Sequence, residues 1–363
     1  MRIGVDVMGG DNAPEEIVKG CVDVLDRIQA DDVIVLAGPR QVVVDLLEAH
    51  GVDDPRLVIL DTPEWIEMAE SPVEAVRSKR DSSVVKLAEL SSRKAPPEER
   101  LDAWISAGNT GACVTASAMF MRRLPGVHRP GIVVTVPTFA GPIILVDVGA
   151  NIEPKPHHLA QYGVMGSIYA EKAIGIENPR VALMNVGGEE QKGTADMKQA
   201  RDLLRATPSI NFKGYIEGRA VFNGEADVIV TDGVLGNVML KLAEGLSTSI
   251  IQALAHEVGR IDPDLSERVK PVLKNLYTQY DYHEYGGAPL MGANGYCFIS
   301  HGSSKARTIC NSILRARQMV EIGMNETIVD RLRAQEEVTV CHRPQRAAEF
   351  ELPAPVHPPR PTR

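Results

Sequence analysis

One pattern recurs along the chain: a short apolar run, a polar loop rich in glycine, then a stretch with helical spacing. The runs are IGVDVM, AWIS, IILVDV, VALMNV, DVIVTD and YCFIS. The loops that follow them are GGDNAPEE, AGNTGA, GANIEPKP, GGEEQKGTA, GVLGNVML and HGSSKA. Continuous apolar runs, unlike alternating ones, mark strands covered on both faces. Strand, loop and helix in succession predict an α/β fold whose mostly parallel sheet is sandwiched by helices. In open sheets of this kind ligands bind beyond the carboxyl ends of the strands. The six loops are therefore expected to meet in one crevice.

Residues 1–340 read as a single α/β catalytic domain, for which 363 residues are ample. Between about 256 and 285 the apolar content falls, and charged helical sequence such as ERVKPVLKNLY is expected to project from the body. The tail 341–363 is rich in Pro and Arg and is expected to be disordered. Aromatic residues make up only 4% of the chain against 44% hydrophobic residues, so the core must be aliphatic.

A formal charge of −9 argues against nucleic-acid binding, which needs a basic face. No run of 18 apolar residues predicts a transmembrane helix. The amino terminus lacks the apolar core of a signal peptide. Cys21, Cys113, Cys297, Cys310 and Cys341 are scattered singly, which fits reduced thiols in the cytoplasm and no zinc site.

The first loop is not a GxGxxG dinucleotide fingerprint, and Asp11 stands where a pyrophosphate would need bare amides. GxxxxGK[ST], HExxH and GxSxG are all missing, and His157-His158 read as surface residues in a Pro-flanked loop. What remains is a set of loops suited to anions. In HGSSKA, His301, Gly302, Ser303 and Ser304 are either a helix cap or a site offering amides, hydroxyls and an imidazole. Asn109 and Thr110 in AGNTGA carry the same two readings. Lys192 works against a helix dipole, so it is either a solvated surface Lys or a cation held over an anionic ligand. Asp232 and Asn237 flank another helix start.

Taken together, the motifs GVDVMGGDNAPEEIVKG, SPVEAVRSKRDSS, SAGNTGA, VDVGAN, NVGGEEQKGT, EADVIVTDGVLGNVMLK, EYGGAPLMGANG and ISHGSSKA occur in order. From about residue 2 to 320 the chain resembles the phosphate acyltransferase family of bacterial phospholipid synthesis. The resemblance implies a fold similar to isocitrate and isopropylmalate dehydrogenase and to phosphotransacetylase. It implies transfer of a long-chain acyl group from acyl-acyl carrier protein to inorganic phosphate, giving acyl phosphate. It implies no metal and no cofactor, a homodimer, and a cytoplasmic enzyme with weak peripheral membrane contact. Its product would feed a membrane glycerol-3-phosphate acyltransferase.

On this chemistry Lys192 neutralises phosphate, and Asn237 and Asn109 donate to phosphate or to the oxyanion. His301 orients phosphate or protonates the leaving thiolate. Asp11, Asn12, Thr110, Asp232, Gly302, Ser303 and Ser304 complete the substrate site, with Asp6 and Asp11 orienting loops. Arg77, Lys79 and Arg80 form a basic patch for the acidic carrier, or else a solvated helix face. Rival readings are a phosphotransacetylase acting on short acyl-coenzyme A, a dehydrogenase on the same fold, and a non-catalytic binding protein.

Overall fold

The computed structural model describes residues 1–279 and 285–341. Eleven strands form one sheet: β1 (Arg2–Asp6), β2 (Val33–Gly38), β3 (Leu57–Asp61), β4 (Ala103–Ser106), β5 (Gly131–Val136), β6 (Ile143–Val146), β7 (Arg180–Met184), β8 (Asn211–Ile216), β9 (Val228–Val230), β10 (Ala288–Met291) and β11 (Tyr296–Ile299). Their order is β3-β2-β1-β4-β11-β10-β5-β6-β9-β7-β8. Side chains of successive residues enter opposite faces. Ile34 and Leu36 join one apolar cluster, Val35 and Ala37 the other. The helices Glu15–Asp23, Pro156–Tyr169 and Ala306–Glu321 cover the first face; Ser83–Leu90 and Thr110–Ala116 cover the second.

The sheet is two parallel halves joined by antiparallel strands. β3, β2, β1, β4 and β11 run together, as do β6, β9, β7 and β8. Between the halves β10 is antiparallel to β11 and to β5, and β5 is antiparallel to β6. The chain direction therefore reverses from one half to the other. The loops after β1, β4 and β11 leave one end of the sheet and those after β6, β7 and β9 the other, and the expected single crevice is met in part: the segments after β4, β6, β9 and β11 line one cavity, while no residue of the loops after β1 and β7 lines it.

The projecting segment starts earlier than expected. The helix Gly233–Ile261 and the helix Pro263–Gln279 pack chiefly on each other, and in the first only Gly233 and Gly236 are buried. At 29 residues the first helix is about 43 Å long. It is also long and apolar enough to cross a membrane by length and composition, although its apolar residues do not form one unbroken run. The remainder of the expected projection, 280–284, lies outside the described residues. So does the tail from 342 on, while Cys341 ends the helix Met324–Cys341.

Candidate active site

β10 meets β5 at Leu290–Ile132 and Met291–Gly131 alone. Beyond those two pairs the strands part, and a cavity of about 320 Å³ occupies the gap. Thr110 reaches it from the β4 loop, His301 from the β11 loop, and Asn237, Leu240 and Lys241 from the helix Gly233–Ile261. Ile132, Val134, Val148 and Ile299 supply an apolar wall. The helix Gly233–Ile261 and the parted strands bring residues from both halves to one place although their loops leave opposite ends.

At the end of β1, Asp6 is 2% exposed and accepts hydrogen bonds from Ser83 Oγ (2.6 Å) and Ser106 Oγ (2.7 Å). Burial pushes its carboxyl above the usual range, against the pull of those donors and of the Met8 N–H. Gly9 must be glycine: a Cβ there would lie 2.4 Å from the Asp6 carboxylate and 2.8 Å from the Gly108 nitrogen. Asp6 thus locks the β1 and β4 loops together, the loop-orienting part expected of it.

Most neighbouring candidates hold the scaffold. Asn109 caps its helix by accepting from the Ala112 N–H (3.0 Å), and its Nδ2 donates to the carbonyls of Glu67, Met68 and Glu70. Its amide is committed to those carbonyls, so the expected oxyanion donor is a tether. Asn12 Nδ2 likewise donates to the carbonyls of Ser303 and Ser304, and the Asp11 N–H donates to the Gly302 carbonyl (2.7 Å). The helix after HGSSK begins at Ala306, whose N–H already donates to Glu16 Oε2 (2.8 Å). A protein carboxylate therefore occupies the helix end that was expected to hold an anion. Ser303 Oγ lies 2.7 Å from His301 Nδ1, and Ser304 Oγ is buried without a hydrogen-bond partner among the described residues. The Ser303 N–H also donates to Nδ1 (3.2 Å), so both contacts to Ser303 fall on the same ring nitrogen.

The other half has its own buried carboxylate, which the sequence reading passed over. Asp147 is fully buried and accepts from the N–H groups of Ile132 (2.8 Å), Ala150 (3.1 Å) and Asn151 (2.7 Å). Burial raises its pKa as well, opposed by those donors. Asp232 caps the helix Gly233–Ile261 by accepting from the Leu235 N–H (2.8 Å). One turn in, Asn237 and Lys241 stand four residues apart and so share a face, and both line the cavity. That spacing is visible in GNVMLK and was the missed signal for Lys241. Lys192, by contrast, is exposed on the loop after β7 and does not line the cavity.

The three basic residues assigned to docking are partly neutralised. Lys79 Nζ pairs with Glu70 and with the Trp65 carbonyl, and Arg80 pairs with Glu89 (2.9 Å) while lying over the Phe120 ring. Arg77 is exposed. Four thiols are poor nucleophiles: Cys21, Cys113, Cys297 and Cys310 are buried, and desolvation pushes Cys113 up to about 12.

The α/β fold, with its large, mostly parallel sheet, is similar to that of phosphotransacetylases of known structure. A phosphotransacetylase from Streptococcus pyogenes superimposes with a TM-score of 0.61 at 15% identity, covering 88% of this chain and 94% of that one. The EutD phosphotransacetylase from Staphylococcus aureus gives 0.56 at 16% identity, covering 89% and 94%. The family model described as fatty acid synthesis protein matches residues 1–327. A phosphate acyltransferase of Desulfitobacterium hafniense is 44% identical over 331 residues, covering 90% of this chain and 96% of its own. One from Bacillus licheniformis is 41% identical over 335 residues, covering 92% and 98%. The chain belongs to the phosphate acyltransferase family, and it is an acyltransferase.

Proposed function

We propose that this enzyme moves a long-chain acyl group from the thioester of an acyl carrier protein to inorganic phosphate, with the chemistry at the cavity between β5 and β10. The observation that carries this reading is the joint presence there of Asn237, Lys241 and His301 beside an apolar wall. A phosphate oxygen attacks the thioester carbonyl, the C–O bond forms, and the carbonyl oxygen becomes an oxyanion. Collapse breaks the C–S bond and releases a thiolate. The proton that phosphate gives up ends on that sulfur, so acyl phosphate and free thiol are the products.

Lys241 offsets the charge of phosphate, the part first given to Lys192. Asn237 Nδ2 donates to the oxyanion. His301 donates a hydrogen bond to the departing sulfur, and the proton that phosphate gives up passes to that sulfur as the C–S bond breaks. Thr110 contributes a hydroxyl at the rim. A positioned donor of this kind is worth about 2.7–4 kcal/mol of barrier. No enzyme nucleophile is needed, because phosphate is anionic at neutral pH and positioning carries most of the rate.

The helix Gly233–Ile261 supports a wider reading. Val238, Leu242, Leu246 and Ile250 lie 53–67% exposed along it, an apolar stripe that calls for a cover. We assign that stripe first to a homodimer contact and its outer turns to peripheral contact with a membrane. A cytoplasmic enzyme so placed passes acyl phosphate to a glycerol-3-phosphate acyltransferase in the lipid. The phosphotransacetylase-like fold favours a second reading, transfer from short acyl-coenzyme A.

The test is thiol release from long-chain acyl-carrier protein with and without phosphate, the product being trapped by hydroxylamine. Saturable phosphate dependence and a hydroxamate are expected. Thioester cleavage at full rate in phosphate-free buffer overturns the reading, and preference for short acyl-coenzyme A selects the second.

A further inference from the structure

The segments 122–130 and 151–158 meet through Asn151 and Pro130 and through His128, His157 and His158, a few residues from Ile132 and Gly149, which line the cavity. The two segments carry Arg122, Arg123, Arg129 and Lys155 against one carboxylate, Glu153. All four cations are exposed, and among the described residues none of them makes an ion pair. Lys79, Arg80 and Lys86 on the other basic stretch are each paired with an acid. In a chain with a formal charge of −9, an unneutralised cationic surface runs against the average and calls for an anionic complement.

The surface is rigidly built. Asn151 Nδ2 donates to the Pro130 carbonyl (2.7 Å), joining the two segments. Gln161 accepts from the His128 N–H (2.9 Å) and donates to the Gly126 carbonyl (2.7 Å). The rings of His128, His157 and His158 pack edge to face, with centroids 4.9 Å apart for His128–His157 and 4.2 Å for His157–His158. After desolvation, the neighbours that depress His158 are all cationic groups: His157, Arg129, His128 and Lys155. That field is what an acidic surface would compensate.

We propose that Arg122, Arg123, Arg129 and Lys155 form the docking surface for the acidic acyl carrier protein. The proposal rests on the carrier being the acyl donor, as read above. Arg129 stands three residues before Ile132, and Lys155 six after Gly149, both of which line the cavity. A protein docked there delivers its thioester arm at the edge of the cavity. Guanidinium groups suit the carboxylates of a helical acidic surface, because they bond them two at a time.

The test compares wild type with the double variants Arg129→Glu/Lys155→Glu and Arg129→Gln/Lys155→Gln. The KM for acyl-carrier protein at low salt is expected to rise about tenfold in the charge reversal, equivalent to ~1.4 kcal/mol, with kcat and the KM for phosphate unchanged. The rise of the wild-type KM with added salt should also flatten. The Gln pair should shift KM the same way by less, and it serves if the reversal fails to fold. Calorimetric binding of unacylated carrier protein reads the surface without turnover, so a failed donor assignment shows as binding without transfer. Unchanged KM and carrier binding in a folded double variant overturn the proposal. So does loss of sedimentation with phosphatidylglycerol vesicles while carrier kinetics stay intact, which assigns the surface to lipid.

Discussion

Gly236 rests on the carbonyl oxygen of Asp147: a Cβ built on Gly236 would lie 2.0 Å from that oxygen. The Asp147 carboxylate is itself held by three backbone N–H groups, so the surface under the helix cannot move away. This contact sets how close the first turn of the helix Gly233–Ile261 comes to β6. It thereby sets where Asn237 and Lys241 enter the cavity.

Replacing Gly236 by Ala should therefore cost stability and activity together. Overpacking of this kind costs typically 1–3 kcal/mol, and here the clash is with backbone that has no rotamer to change. A shift in the urea midpoint and a lower kcat are expected. A variant as stable and as active as wild type would show that the helix does not sit as described.

Asn237→Ala and Lys241→Ala should each lower turnover at least tenfold, because a donor used at the transition state exceeds the ~1.4 kcal/mol that tenfold requires. Both residues are partly or fully exposed, so thermal melting should change little. Lys192→Ala is expected to fall short of that loss. Steady-state kinetics on the three proteins decides: a larger loss for Lys192 than for Lys241 moves phosphate to the β7 loop.

Stability should weaken on mild acidification through His158. Desolvation, then the cations around it, lower its imidazole to about 4. The unfolded ring takes a proton near pH ~6.5. Between those values the unfolded chain binds a proton that the native chain refuses. The stabilisation is thus full above pH ~6.5 and is lost as pH falls towards the folded value. Urea midpoints between pH 7 and pH 4 should fall less steeply for His158→Gln, whose amide oxygen can still accept from Lys155. Parallel curves for the two proteins would remove His158 from the pH response.

The exposed stripe should make the wild type a dimer at micromolar concentration by light scattering. The triple variant Leu242→Glu/Leu246→Glu/Ile250→Glu should run as a monomer with an unchanged melting temperature, since all three side chains are more than half exposed in the protomer. A monomeric wild type would sink the dimer reading and leave the stripe to the membrane.

The periodicity of the chain determined the strands, the helices that follow most of them, and a core of Val, Ile and Leu, because burial on both faces writes continuous apolar runs into local sequence. The motifs determined the family. Asp6 as an orienter of loops, and Asn237 and His301 as cavity residues, were legible for the same reason: each stands at or just beyond a strand end. Strand direction was not legible. Apolar runs do not record which way a strand runs, and the antiparallel β5 and β10 reverse one half of the sheet against the other. Nor could sequence show that the amide of Asn109 is consumed by three carbonyls, or that Glu16 fills the helix end after HGSSK, since those partners lie 39 to 42 and 290 residues away. Whether a polar side chain holds the scaffold or faces a ligand depends on which distant groups reach it first, and only the tertiary structure decides that.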